Sequence, residues 1–588
     1  MIKDELKKII QDALEKLKNE LGDFAIEQIV LEHPENLEHG DYSTNIAFAL
    51  AKQLKKSPQE IAELVVKTIN YKLSTLAGQA KNYVQKVQAV SGFINFHLQN
   101  RVFEVKLQTV LEQKEKFGEN DFLKGKKIMV EYAHPNTHKE MHIGHMRTLV
   151  TGEVLCRIFE ASGAKVFRAN YQGDIGPHVA KAIWGTEKVL QERRISWAEA
   201  EKLSLPEKAH LLGQGYVKGN QEYEEKKAEI DELNSKLYRG DREAMAVYKR
   251  TRQWSLDYYD LFYKRFDTKF DKLYFESQVA EDGKKIVLKN VGKVFENSEG
   301  AVIFDGEPHG LHKRVFITHD GNPTYEAKEM GLAPLQYKDF PFDLNIHVVA
   351  NEQSGYFQVV FKALELLDEK FKGREYHLPM GMVQLVGKKM SSRTGVIVTV
   401  DGLLDEVKNL LANLITSEEL SQKEIEEVKE KGTIAAVKYS VLKTDTKSNV
   451  MFDMERSVAL DGNSGPYLLY TYARCHSILR KSTRSSDRVP SRMTGQIRNL
   501  SKEELDLLRT MYRFPEVVQE AAEKYAPSLI CNFVFDLAQK YNSFYNTHPV
   551  LQADTKEQKE FRLLLTSAVA QLIQNSLYLL GIKTLEKM

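Results

Sequence analysis

The stretch from Lys126 to Ala169 constrains the fold more than any other. Ile128-Met129-Val130 is a short apolar strand, followed by the polar, proline-containing loop Ala133–Glu140. A helix follows, in which Met146, Leu149, Val150, Val154, Leu155, Ile158 and Phe159 recur at three- and four-residue steps, and Lys165–Ala169 reads as another strand. Strand, loop, helix and strand in this order form a βαβ unit, which implies a parallel sheet whose ligand crevice lies at the carboxyl ends of its strands. Alternation returns at Ala301–Phe304, Val315–Thr318 and Asn345–Ala350, read as later strands of the same sheet. The charged, helical run Trp184–Asp271 reads as an insertion.

Around this core the chain divides into further parts. Residues 1–115 read as a small α+β unit with an amphipathic helix Met1–Gly22, a turn at His39-Gly40-Asp41, a helix Asn45–Leu54 and a strand near Gly92–Leu98; the charged run Glu112–Lys127 reads as a linker. Residues 120–385 form the sheet domain, with the insertion at about 184–271, and 386–455 connect it to an all-helical part, 456–588. The helices of that part are placed near Gly465–Lys481, Lys502–Lys524, Ser528–Tyr545 and Lys556–Leu580. The predicted class is therefore α/β, a Rossmann-like parallel sheet flanked by an α+β and an all-α domain.

Composition removes some functions. The 83 Lys+Arg against 82 Asp+Glu give a net charge of +1, which excludes a uniformly basic nucleic-acid coat protein and requires any polyanion to be met by local clusters. Three scattered cysteines, Cys156, Cys475 and Cys531, argue against a disulfide framework and a cysteine-built zinc site, and point to a reducing compartment. The mixed charges of the first helix suit neither a signal nor a transit peptide, and no run approaches the roughly 18 to 20 apolar residues of a membrane span, so a cytoplasmic protein is expected.

Two constellations carry chemistry. His142-Ile143-Gly144-His145 stands where the loop after the first sheet strand becomes a helix. Free backbone N–H groups and the positive end of the helix dipole favour an anion there, Gly144 lets a flat ligand approach, and His142 and His145 share a face from which to donate to phosphate oxygens. The alternative is a pair of surface or capping histidines. Far downstream, Lys388-Lys389-Met390-Ser391-Ser392-Arg393-Thr394-Gly395 is a cationic, hydroxyl-bearing loop suited to closing over a triphosphate as pyrophosphate leaves, or else a solvated basic loop.

Together these motifs resemble the paired signatures of class I aminoacyl-tRNA synthetases, and the arginyl branch in particular. The match extends through Val130–Met141, Tyr171-Gln172-Gly173-Asp174-Ile175-Gly176, Thr324–Glu329, Val348–Phe357, Asp453–Arg480 and the N-terminal Gly40–Asn45. The resemblance implies ATP-dependent activation of arginine, with release of pyrophosphate, and transfer to the terminal ribose of its tRNA. It implies His142, His145, Lys389 and Lys139 as catalytic groups, and ATP bound by His142, Gly144, His145, Lys389, Met390, Ser391 and Ser392. Arginine is then held by Glu131, Asn136, Tyr325, Glu329 and Gln353. A carboxylate fork and an aromatic ring are what a planar guanidinium needs, and Tyr325 and Glu329 are four apart on a helix. Without that context the pair is an ordinary helix contact. Tyr467, Arg474 and Arg480 are candidates for tRNA, with a packing role for the tyrosine as the alternative. The N-terminal unit is expected at the outer corner of the tRNA. Mg²⁺ is expected with ATP, no protein-bound metal and no zinc is expected, and the protein is expected to be a monomer.

Two departures from the pattern shape further expectations. Glu329 stands where the family usually has the shorter Asp, and Ser392, followed by Arg393, stands where a second lysine is usual. Lys139 matches a lysine that compensates, so activation is expected to require bound tRNA. Another class I synthetase, or a catalytically silent tRNA-binding paralogue, is the alternative.

Overall fold

The computed structural model describes residues 2–26, 28–75, 83–387, 398–415, 420–484 and 500–588. The chain forms two compact units, one of Met1–Phe117, Ile478–Glu516 and Asp536–Leu572, the other of Gly118–Ser477, Val517–Phe535 and Ile573–Met588. The helical segment expected as one body at 456–588 is thus shared between them.

The larger unit is built on a five-stranded, all-parallel sheet in the order Glu375–Met380, Leu344–Ala350, Lys127–Glu131, Lys165–Gln172 and Lys272–Phe275. The central strand carries Ile128, Met129 and Val130 fully buried, as a strand covered on both faces must. The helix Ile143–Ala161 follows it, and its predicted apolar positions are all buried. Chain order reverses between Lys127–Glu131 and Leu344–Ala350, so the crevice beyond their carboxyl ends is the switch point where ligands bind in such sheets.

Two expected strands lie elsewhere. Ala301–Phe304 is the middle strand of a separate antiparallel sheet, with Glu296–Ser298 on one side and Arg314–Ile317 on the other, and the parallel sheet takes Lys272–Phe275 and Glu375–Met380 as its edges. Four-residue apolar runs carry no signal of the sheet they join. The insertion consists mainly of the helices Pro177–Arg193, Leu205–Gln221, Tyr223–Arg239 and Arg242–Arg265.

In the smaller unit a three-stranded antiparallel sheet, ordered Tyr42–Thr44, Phe93–Leu98, Val84–Val90, is accompanied by helices Ile2–Leu21, Ile46–Leu54 and Pro58–Thr75. The expected linker Glu112–Lys127 begins at the end of a helix, Asn100–Gln113, and continues through the single turn Lys114–Lys116. The predicted helix 502–524 is two, Lys502–Met511 and Phe514–Lys524, with Pro515 in the first turn of the second, where its missing N–H costs nothing. Buried Asp41 accepts from the Leu98 N–H at 2.7 Å and pairs with Arg509 at 3.0 Å. The Tyr42 hydroxyl donates to Glu516 at 2.6 Å, and Glu516 also meets His33 at 3.1 Å. The Gly40–Asp41–Tyr42 stretch therefore packs the small sheet onto these two helices.

Candidate active site

The loop 133–140 leaves the central strand with three non-glycine residues in the left-handed region, Ala133 (φ 76°), His134 (φ 49°) and His138 (φ 64°). Such backbone persists only where its surroundings over-determine it. The long insertion helix supplies the restraint from one face. Ser255 Oγ accepts the His138 N–H at 2.9 Å, and Thr251 Oγ1 lies 2.8 Å from His138 Nε2. Tyr259 shares its hydroxyl proton between the carbonyls of Asn136 (2.6 Å) and Lys139 (2.7 Å). The Tyr263 hydroxyl accepts from Asn170 and Gln172 at the end of the neighbouring strand. Residues 251, 255, 259 and 263 fall at four-residue steps, so the insertion braces the site it interrupts in sequence. Asp174 is fully buried and accepts from Tyr248 (3.0 Å), Arg252 (2.8 Å) and both the N–H and the hydroxyl of Ser277. Against the same loop, a Cβ at Gly173 would stand 2.2 Å from Asn136 Oδ1, so only glycine lets the Asn136 side chain lie where it does. The Lys139 ammonium sits 4.2 Å from the centre of the Tyr216 ring, also from the insertion.

At the start of Ile143–Ala161 the capping alternative is realised. His142 is the N-cap, and its Nδ1 accepts from the N–H groups of Gly144 (3.1 Å) and His145 (3.4 Å). The helix end is therefore occupied by the protein's own ring rather than left open to an anion. Gly144 is needed for that ring: a Cβ there would lie 2.9 Å from His142 Cε1. The missing side chain thus serves the protein's own capping ring, a reason for glycine that is separate from the ligand approach read from the sequence. The two imidazoles stack, with centroids 3.7 Å apart, and His145 Nδ1 faces the His142 N–H at 3.5 Å. With both Nδ1 atoms accepting, the protons reside on Nε2. Burial, then Lys139, pushes His142 down to about 4, and burial and His142 hold His145 well below its ordinary range. Both rings are neutral hydrogen-bond donors.

Across the switch point lie the carboxylates. Glu131, at the end of the central strand, is 1% exposed. It meets His347 Nδ1 at 3.2 Å on one oxygen, and on the other it accepts from Gln336, which Asn345 supports at 3.1 Å. Burial pushes its carboxyl up, but the His347 charge and hydrogen bond outweigh this and hold it below the usual range. Glu329 is also buried and accepts the Tyr356 hydroxyl at 3.2 Å, a partner that fixes its longer side chain. Burial, then the charge of Glu131, pushes Glu329 up to about 8.

Tyr325 opens the same helix, Tyr325–Asp339, but is half exposed, with the Lys328 ammonium 4.9 Å from its ring centre. Lys328 is itself buried in an ion pair with Glu276. Gln353 is exposed in the single turn Asn351–Gln353 that follows the strand Leu344–Ala350. Glu131, Asn136, Glu329 and Gln353 thus all come from the carboxyl-end side of the sheet. Tyr171, which the sequence offers only as part of a matched motif, has a buried hydroxyl with no hydrogen-bond partner, and its pKa rises through burial and the charges of Glu276, Glu329 and Glu131.

Lys389, Met390, Ser391 and Ser392 lie outside the described residues, as does the apolar start of 396–400. The chain re-enters beside the histidine turn: Thr399 pairs with His142 in an isolated bridge, and the Val400 N–H donates to the Met141 carbonyl at 2.9 Å. Arg147, two residues past His145, is buried and donates to the carbonyls of Gly381, Met382, Asp445, Thr446 and Ser448, tying the histidine helix to the segment that leads into 388–397.

Of the tRNA candidates on Gly465–Arg484, Tyr467 is buried against Phe535, with ring centroids 5.7 Å apart, so it packs and offers no face to a base. Tyr470 is the exposed tyrosine, with the Arg474 guanidinium 4.8 Å from its ring centre. Arg480 is half-buried on the same helix.

Comparison with known proteins agrees along the whole chain. Residues 106–454 match the family described as "tRNA synthetases class I (R), catalytic domain", 468–588 the "DALR anticodon binding domain" and 4–98 the "Arginyl tRNA synthetase N terminal domain". Arginine–tRNA ligase of Flavobacterium psychrophilum is 32% identical over 99% of this chain and 100% of its own length. That of Treponema denticola is 31% identical over 100% of both. The structure of Thermus thermophilus arginyl-tRNA synthetase superimposes with a TM-score of 0.82 at 25% identity, covering 100% of both chains. With a catalytic-domain match covering more than half its length and relatives that span it end to end, the chain belongs to the arginyl-tRNA synthetases, class I aminoacyl-tRNA ligases.

Proposed function

We propose how this arginine–tRNA ligase divides its crevice between its two small substrates. The observation that carries the reading is the pairing, across one switch point, of a neutral histidine stack with a buried carboxylate array. Glu131 and Glu329 hold arginine's cationic groups, Asn136 and Gln353 its polar atoms, and Tyr325 offers a ring to the guanidinium. His142 and His145 direct their Nε2–H groups at phosphate oxygens of ATP, with Gly144 keeping the capping ring in place. Lys139, with Lys389, Met390, Ser391 and Ser392 on the downstream segment, answers the charge on the departing pyrophosphate.

Arginine's carboxylate oxygen bonds to the α-phosphorus as the bond to the pyrophosphate oxygen breaks. A hydroxyl of the terminal ribose of tRNA then attacks the arginyl carbonyl and AMP leaves. No protein nucleophile takes part; the residues position and stabilise charge. Mg²⁺ enters with ATP, the enzyme acts as a cytoplasmic monomer, and Arg474 and Arg480 contribute to the tRNA surface. Because Ser392 replaces the usual second lysine, activation depends on bound tRNA.

The deciding experiment is charging of total tRNA with each labelled amino acid. Charging by arginine alone is expected, and charging by another amino acid would overturn the specificity assigned to the pocket. Pyrophosphate exchange should be tRNA-dependent and slowed in Lys139→Ala. Full exchange without tRNA, or an unaffected variant, removes those two roles.

A further inference from the structure

Behind Glu131 lies a group to which the reaction assigns no work. His347 sits on the adjacent strand at the register position paired with Glu131. Its Nδ1 is 3.2 Å from Glu131 Oε1 and its Nε2 is 2.8 Å from Glu375 Oε2, with all three side chains no more than 3% exposed. The rings of Phe357 and Phe361 pack on it, each with its centroid 5.2 Å away. An imidazole with a carboxylate oxygen at each nitrogen carries both protons, because either neutral tautomer would aim a lone pair at an anion. The other Glu375 oxygen is buried with no hydrogen-bond partner, so the arrangement leans on this one histidine.

We infer that His347 is a positioning residue for arginine recognition: pinned by Glu375, its imidazolium fixes both the direction and the ionised state of the Glu131 carboxylate. His347 acts through Glu131, so its loss weakens arginine binding and spares the nucleotide end of the crevice. The inference rests on the reading that Glu131 holds arginine.

The test is steady-state aminoacylation by the full-length enzyme, varying arginine and ATP separately. Asparagine places an amide nitrogen where Nδ1 stands and keeps the bond to Glu131, whereas glutamine reaches the Nε2 position and keeps only the bond to Glu375. His347→Gln should raise the arginine KM about tenfold and His347→Asn only about two- to threefold, with kcat and the ATP KM within about twofold of wild type. Equal effects of the two variants, or a loss confined to kcat or the ATP KM, would overturn the inference. If the histidine variants do not fold, the isosteric Glu375→Gln decides: a rise in arginine KM of about threefold supports the role, and no change removes it. Glu131→Gln separates the two layers of argument. An unchanged arginine KM in that variant defeats the pocket assignment itself, while a raised KM beside an unaffected His347→Gln defeats the positioning role alone.

Discussion

The two sides of the switch point respond to burial in opposite ways. At the histidine turn, burial removes charge: His142 and His145 have each other and Lys139 as neighbours, and both are neutral. At Glu131, deeper burial leaves charge in place, because His347 supplies the opposite sign at 3.2 Å. Burial alone does not set the charge of a site; the sign of the nearest buried neighbour does. The consequence suits the substrates. A polyanion meets neutral N–H donors whose proton state does not change with its arrival, and a cationic amino acid meets a negative charge already held in place at Glu131.

The largest break in this comparison should come from Glu329→Gln. Removing one charged partner of a buried pair costs about 2 to 5 kcal/mol, so the arginine KM should rise by about 30-fold to several-thousand-fold in aminoacylation assays while the ATP KM stays within about twofold. If both constants rise together, the two ends are not separable.

Next in size is the nucleotide end. His142→Asn retains a good N-cap residue but loses the Nε2–H, so adenylate formation should slow by about 10²-fold with unchanged thermal stability. His142→Ala should show the same slowing and in addition lose about 1 kcal/mol of stability in denaturant melts, because two helix N–H groups lose their acceptor. An asparagine variant with full activity would reduce His142 to a cap.

These residues were legible from sequence to different depths. The central strand and its helix announced themselves through period, and the His-Ile-Gly-His turn through its place between them. The left-handed backbone at Ala133, His134 and His138 gave no warning, because no glycine marks it, and the groups that hold Asn136, His138 and Lys139 sit on Thr251, Ser255 and Tyr259, more than a hundred residues away. The same holds for His347 and Glu375, which are brought to Glu131 by strand pairing, and pairing is not written in either strand. Gly40–Asn45 was legible as a motif but not in purpose: Asp41 and Tyr42 meet Arg509 and Glu516, partners that only the folded unit supplies. Tyr467 and Tyr470 look alike in sequence, and only burial tells the packed ring from the exposed one.

The smallest effect sharpens the comparison most, since it needs no mutation. Free Glu329 titrates at about 8, raised by burial and by Glu131; Glu375 adds to the rise, while His347 and the Tyr356 hydroxyl oppose it. A bound guanidinium favours the ionised carboxylate, so the bound-state value lies lower, and below about 8 arginine must displace a proton. The arginine KM should therefore fall as pH rises, by about five- to tenfold between pH 7 and 8.5, and level off above the free pKa. Over the same interval the ATP KM should show no step from His142, which titrates near 4 and stays neutral throughout. Calorimetry of arginine binding in two buffers of different ionisation enthalpy should register close to one proton released at pH 7 and little at pH 9. Glu329→Gln, which fixes the pocket in its proton-bearing form, should abolish both the slope and the release. A wild-type arginine KM that is flat over this range, or that climbs with pH, would mean that Glu329 is already ionised before arginine arrives and that the two ends of the crevice are less different than their burial implies.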